Sequence, residues 1–191
     1  MSPVTHLLTG WVIANAAPVG RRGRAIITFG AVIPDIDGLG IIPEFFTRHS
    51  RHPLFWFSQY HHCLHTLLFA IIVGIIAFFA SGRSRITAAF AFAAFHVHLV
   101  EDLIGARGPD GYMWPIPYLF PFSSRWAWVW QGQWALNAWP NMLITMALLV
   151  ITIMLALKRG CSPVEIFSPK TDDLVVRTLK NRFIIWTSTL L

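Results

Sequence analysis

Charge is what this chain has least of. Only 13% of its 191 residues are Asp, Glu, Lys or Arg, against 55% that are hydrophobic, whereas a soluble domain carries about a quarter charged residues. That shortage excludes an ordinary soluble domain and places the chain in the membrane class. Cysteine is also scarce. Cys63 and Cys161 are the only two, too few for a disulfide framework and too far apart for a CxxC zinc pair. Acidic residues number nine against fifteen Lys and Arg, a net charge of +6. The basic residues sit in short clusters between apolar segments, which is the pattern of loop charges that orient a membrane protein. No nucleic-acid partner is expected. The opening "MSPVTHLLTGWVIANAAPVGRRGR" has no basic stretch ahead of its apolar segment, which predicts a retained segment in place of a cleavable signal peptide.

What the chain does have is apolar length. Residues 67–80 and 142–157, with their flanks, approach the ~20 residues that cross a hydrocarbon core of ~30 Å. Three further segments, 4–19, 25–42 and 86–104, are apolar but carry polar groups, and ionisable residues at membrane depth are rare and functional by default. If Arg21, Arg22 and Arg24 lie in the cytoplasm, alternation puts Arg83, Arg85, Lys158 and Arg159 there too. Only Arg48, Arg51, Arg107 and Arg125 are then left outside, four of the fifteen basic residues. The positive-inside rule therefore predicts an all-α, polytopic membrane protein of four to five transmembrane helices with its N-terminus outside. Residues 1–157 form the membrane-embedded domain and 158–191 a polar cytoplasmic tail. The external connection, 104–138, is rich in Pro, Gly and aromatics. Its Trp114, Trp126, Trp128, Trp130 and Trp134 suit an interfacial belt in contact with the lipid bilayer.

Four polar clusters interrupt the apolar segments: His6 in "THLLTGW", Asp35 and Asp37 in "IPDIDG", His61, His62 and His65 in "HHCLHT", and His98, Glu101 and Asp102 in "HVHLVEDL". On a helix, His61 or His62 can share a face with His65, and His98 can share one with Asp102 or Glu101. Under the predicted topology all four clusters fall at the same membrane face. Neutral imidazoles with carboxylates suit zinc or a related divalent ion. Plainer readings exist for each. Asp35 and Asp37 fit a Pro-Asp turn that caps a helix, and Asp102 can orient a histidine without binding metal itself. His96 points ~200° round the helix from His98 and is expected to be structural. His49 and His52 lie in a solvated loop, and Cys63 is expected to pack.

In order along the chain, "THLLTG", "PDIDG", "HHCLHTLL", "HLVEDLIG" and "GYMWPIPYLFPFS" resemble the YdjM/DUF457 family of membrane-bound, metal-dependent hydrolases over roughly the first two-thirds. That resemblance implies a place in the bacterial inner membrane. It also implies distant similarity to zinc-dependent phospholipase C and P1-type nucleases, whose clustered zinc ions cleave phosphoesters. By the same resemblance His6, Asp35, Asp37, His65, His98 and Asp102 are metal ligands. Relatives carry an HRGxTHS-like block where this chain has His61-His62-Cys63 and no arginine, so His61 and His62 both stand as candidates beside His65. The expected function is hydrolysis, at the external face, of a phosphoester or lipid-like substrate. The expected cofactor is a divalent ion, Zn²⁺ by its donors, with Asp35, Asp37 or Glu101 as general base. The rival is a non-catalytic metal-binding or metal-transporting membrane protein; a transporter would hold its ligands near the bilayer midplane. An intramembrane metalloprotease would show HExxH, and "HHCLH" lacks the glutamate.

Overall fold

The computed structural model describes residues 1–57, 61, 63–108 and 110–189. It is helical, with no strand among the described residues. Helix α1 (Pro3–Ala16) starts where Ser2 accepts a hydrogen bond from the Thr5 N–H and Pro3 occupies the first turn, a position where a missing N–H costs nothing. Helix α2 (Arg21–Val32) passes directly into a 3-10 helix, Ile33–Gly40, and then into the short α3 (Ile41–Thr47). Pro34 lacks the N–H that would continue the α-helical ladder, and Gly38 and Gly40 follow within the same turn region. The expected 25–42 segment is thus a broken helix. Broken backbone at membrane depth belongs where it lines a cavity, and here it carries Asp35.

Thr66 caps α4 (Leu67–Ala80) by accepting from the Phe69 N–H, and Ser84 caps α5 (Arg85–Gly105) by accepting from the Thr87 N–H. Helix α6 (Trp139–Arg159) ends at Gly160, whose φ of 72° is the left-handed cap that glycine adopts without strain. Three stretches are long and apolar enough to cross a membrane: Arg21–Thr47, Arg85–Gly105 and Trp139–Arg159. Helices α1 and α4, 14 residues each, rise only ~21 Å and pack against these longer stretches.

The core between α1, α2 and α5 is made of small side chains: Ala14, Ala17, Ala31, Ala91 and Ala94 are all buried. Two glycines set the approach. A Cβ on Gly10 would lie 2.7 Å from Ala31 Cβ, and one on Gly30 would lie 2.9 Å from the Ala91 carbonyl oxygen. Close backbone contact of this kind is how helices associate in lipid, where burial of apolar side chains gives little drive. Large apolar side chains point outward instead, among them Phe46, Ile76, Phe79, Met142 and Met146.

The stretch expected as a polar tail is folded. A second 3-10 helix (Pro163–Ile166) and α7 (Pro169–Thr189) follow α6. Glu165 accepts two hydrogen bonds from Arg24, 2.6 Å from Nε and 2.9 Å from Nη2, while its carbonyl accepts from Arg21 Nε at 2.6 Å. Asp172 accepts from the Ser162 N–H and hydroxyl. Burial pushes the nearby Cys161 thiol above its ordinary range.

Candidate metal centre

Each piece of the site comes from the end of an element. His6 is in the first turn and a half of α1, Asp35 opens the 3-10 helix, and His98 to Asp102 occupy the last two turns of α5. Together His6, Asp35, His98 and Asp102 offer four ligand atoms that all lie within 4.8 Å of one another. His98 and Asp102 meet as their four-residue spacing predicts, Nε2 to Oδ2 at 3.1 Å. Asp102 Oδ1 is 3.2 Å from His6 Nε2. Asp35 spans the opposite side, with Oδ1 3.6 Å from His98 Nε2 and Oδ2 3.8 Å from His6 Nε2. His65 stands beside this group, its Nε2 3.3 Å from His98 Nε2 and 3.4 Å from Asp102 Oδ2.

Whether these residues fit a cation follows from their outer hydrogen bonds. The Ala31 carbonyl can only accept, so His98 Nδ1–H donates to it at 2.8 Å and the Nε2 of neutral His98 carries a lone pair. By the same reasoning His6 Nδ1–H donates to Glu101 Oε2 at 2.6 Å, and His6 Nε2 is buried with no hydrogen bond. Two imidazole lone pairs therefore face the carboxylates of Asp35 and Asp102. With both rings neutral the arrangement is repulsive apart from the N-terminal amino group at Asp102 Oδ1, and burial of Asp102 and both imidazoles is costly. Protonating both rings does not relieve it, since the His6 and His98 rings are 3.8 Å apart between centroids; protonating His6 alone would set one charge between Asp102 and Glu101. A divalent ion ligated by oxygen and imidazole nitrogen fits the donor set. The N-terminal amino group also contacts Asp102 Oδ1.

The remaining candidates are set back from this group. Asp37 Oδ1 accepts from His61 Nδ1–H at 2.7 Å, and its Oδ2 accepts from the Leu64 N–H at 3.2 Å. The nearest approach of Asp37 to His65 is 4.0 Å. A 3-10 helix turns ~120° per residue, so side chains two apart diverge, and Asp35 and Asp37 take different partners. The sharing of one face by His61 or His62 with His65 supposed a helix. Residues 61 and 63–66 form turns that precede α4, and the helix, capped by Thr66, begins only at Leu67. His61 and His65 still come together, 5.7 Å between ring centroids, through the turn. His62 lies outside the described residues. Cys63 is a free, exposed thiol. His96 bonds the Phe92 carbonyl and the Tyr118 hydroxyl, on the side away from the site.

Glu101 sits behind His6. Its Oε1 accepts from the Thr9 hydroxyl at 2.5 Å while its Oε2 accepts from His6 at 2.6 Å, which fixes the imidazole tautomer. Sequence reasoning missed Gln133. Its buried amide donates to the Asp102 and Leu103 carbonyls, and its carbonyl accepts from the Trp114 N–H at 2.7 Å, so it ties the aromatic loop to the end of α5. Asn141 does the same for Gly105 and Leu136. A lone amide among tryptophans carries no spacing signal that would single it out.

Above the group is a cavity of about 330 Å³, floored by Asp35 and Asp102 and walled by Phe57, His61, Tyr112 and Trp114. Residues 1–166 match the family model described as YdjM inner membrane protein, and the chain belongs to that family; no curated protein and no solved structure matches it.

Proposed function

We propose that this inner membrane protein is a metal-dependent hydrolase that cleaves a phosphoester or lipid-like substrate at the external membrane face, with the segment after Lys158 in the cytoplasm. The observation that carries the reading is the convergence of His6, Asp35, His98 and Asp102, two of which, Asp35 and Asp102, line an open cavity. A transported ion needs a path from two sides, whereas the cavity reaches the group at Asp35 and Asp102, which favours chemistry on a substrate that enters there.

His6, Asp35, His98 and Asp102 would hold the ion, with His65 next to them. A bound divalent ion, zinc by these donors, would supply water activation and charge stabilisation of a phosphoryl oxygen. The chain's own residues do the rest. Glu101 and the Ala31 carbonyl keep His6 and His98 in the tautomer that presents Nε2. Asp35, on the cavity floor, is the carboxylate placed to accept the proton from an attacking water, and Asp37 holds His61 in the wall beside it. Both oxygens of Glu101 are engaged, which makes it the holder of His6 and not the base. The aromatic wall excludes water around the reacting group and suits an amphipathic substrate.

The test is a phosphodiesterase screen of the purified protein in detergent and in nanodiscs, covering chromogenic phosphodiesters and phospholipids. Wild type hydrolyses at least one class, and Asp35→Asn loses about 10²-fold or more in kcat. Metal-loaded wild type that hydrolyses nothing would leave a metal-binding membrane protein. For the orientation, a reporter after Arg85 reads cytoplasmic and one at Gly111 reads external.

A further inference from the structure

The mouth of the cavity has features that the metal site does not use. Tyr112 and Trp114 both line it, and their rings stand at 86° with centroids 6.4 Å apart. Trp114 meets His61 at 61° and 5.0 Å, and Phe57 stacks on His61 at 4.5 Å. The walls are therefore aromatic faces set at angles to one another. Asp110 lies at the same mouth. Its Oδ1 accepts from the Tyr112 N–H at 3.1 Å, and the Gly108 N–H donates to the Tyr112 carbonyl at 2.9 Å. This small turn presents Asp110 and Tyr112 together, while Gln133 fixes Trp114 from behind.

The charge balance of the cavity leans acidic, its one lining cation among the described residues being the N-terminal amino group of Met1, which is engaged with Asp102. Asp35, Asp102 and Asp110 line it, and among the described residues no lysine or arginine does. A divalent ion on the floor would neutralise Asp35 and Asp102. Asp110 would remain uncompensated at the mouth beside two aromatic faces. Rings carry negative potential on their faces and attract cations there, most strongly when the cation has no tightly held water, as an alkylated ammonium has not. Phosphate and carboxylate groups are the wrong sign for this position.

We infer that Tyr112, Trp114 and Asp110 form a recognition site for an ammonium group, so that the ligand of this cavity is cationic at the end remote from the metal floor. The inference deepens the hydrolase reading, in which the substrate becomes a phosphoester whose alcohol half carries the ammonium. The site itself stands on the cavity mouth alone. The same chemistry comes from a lipid headgroup or from a free amine.

The experiment uses the full chain in maltoside detergent, as purified with its metal, and calorimetric titration with choline and with 3,3-dimethyl-1-butanol, the uncharged molecule of the same shape. Choline binds roughly ten-fold tighter or more. Trp114→Leu removes that preference, and Asp110→Asn, a change at an exposed side chain that leaves the core intact, reduces it several-fold. Equal binding of the two probes to wild type, or an unchanged preference in Asp110→Asn and Trp114→Leu together, overturns the inference. Phosphatidylglycerol nanodiscs that hold phosphatidylcholine displace choline if the ammonium belongs to a lipid; choline binding that survives them assigns the site to a soluble amine. A choline preference in protein that hydrolyses no phosphoester would sink the hydrolase reading and keep the ammonium site. Hydrolysis without the preference would do the reverse.

Discussion

Helices α5 and α6 are both 21 residues long and both apolar enough to cross a membrane, yet they are used differently. In α5, 39% of the apolar stretch is buried inside the protein; in α6, 17% is. Helix α5 carries His98, Glu101 and Asp102 in its last two turns, and every one of them meets a partner from another element. Helix α6 offers Met142, Leu143 and Met146 to the outside, and among the described residues its side-chain hydrogen bonds come from Asn141, which ties down the loop, and Thr145, which meets Thr5. A helix in lipid is stabilised by apolar residues at every position, so polar residues survive only where another element satisfies them. The less apolar of the two helices is thus the one that carries the site.

Mutations can break that contrast or sharpen it. The largest effect belongs to His98→Ala and Asp102→Ala on α5, each expected to weaken metal affinity by about 100-fold or more, read by equilibrium dialysis against a chelator buffer. Glu101→Gln keeps the shape but loses the carboxylate that fixes His6, and the expected loss is about 10- to 100-fold in the same assay. Next is packing. Gly30→Val forces a side chain against the Ala91 backbone, which lies 2.9 Å from where a Cβ would go. It should lower stability by about 1–3 kcal/mol in detergent unfolding. Gln133→Ala leaves buried carbonyls of α5 without a donor, at about 1–3 kcal/mol, and loosens the loop that bears Trp114. The smallest effect is on α6. Met146→Ala, at an exposed apolar position, should stay within about 0.5 kcal/mol and leave metal affinity unchanged. A loss of metal there equal to that of His98→Ala would erase the distinction between the helices.

How much of this was legible depended on whether the signal was local. The apolar segments and the four polar clusters could be read directly, because helical spacing and hydropathy are properties of neighbouring residues. His98 with Asp102 followed from a four-residue spacing on one helix. The division of labour within the clusters was not legible. Glu101 and Asp102 are both at helical spacing from His98, and only the position of α1 sends Glu101 to His6. Asp35 and Asp37 look equivalent in "IPDIDG", and the 3-10 turn at Pro34 separates them. His65 reaches the site from the turn that precedes α4, since the Thr66 cap lets the helix begin only at Leu67. Gln133 acts on backbone carbonyls some thirty residues away, a partner type that leaves no pattern in sequence. The segment after Lys158 read as a polar tail because the partners of Glu165 and Asp172 lie partly on α2, more than 140 residues earlier.

The most direct test of the central claim is the metal content of wild-type protein purified in detergent without chelator, measured by inductively coupled plasma mass spectrometry beside Asp102→Ala. The account predicts stoichiometric divalent metal, zinc foremost, in wild type and its loss in the variant. Wild-type protein that folds and binds no divalent metal, even after incubation with zinc, would contradict it.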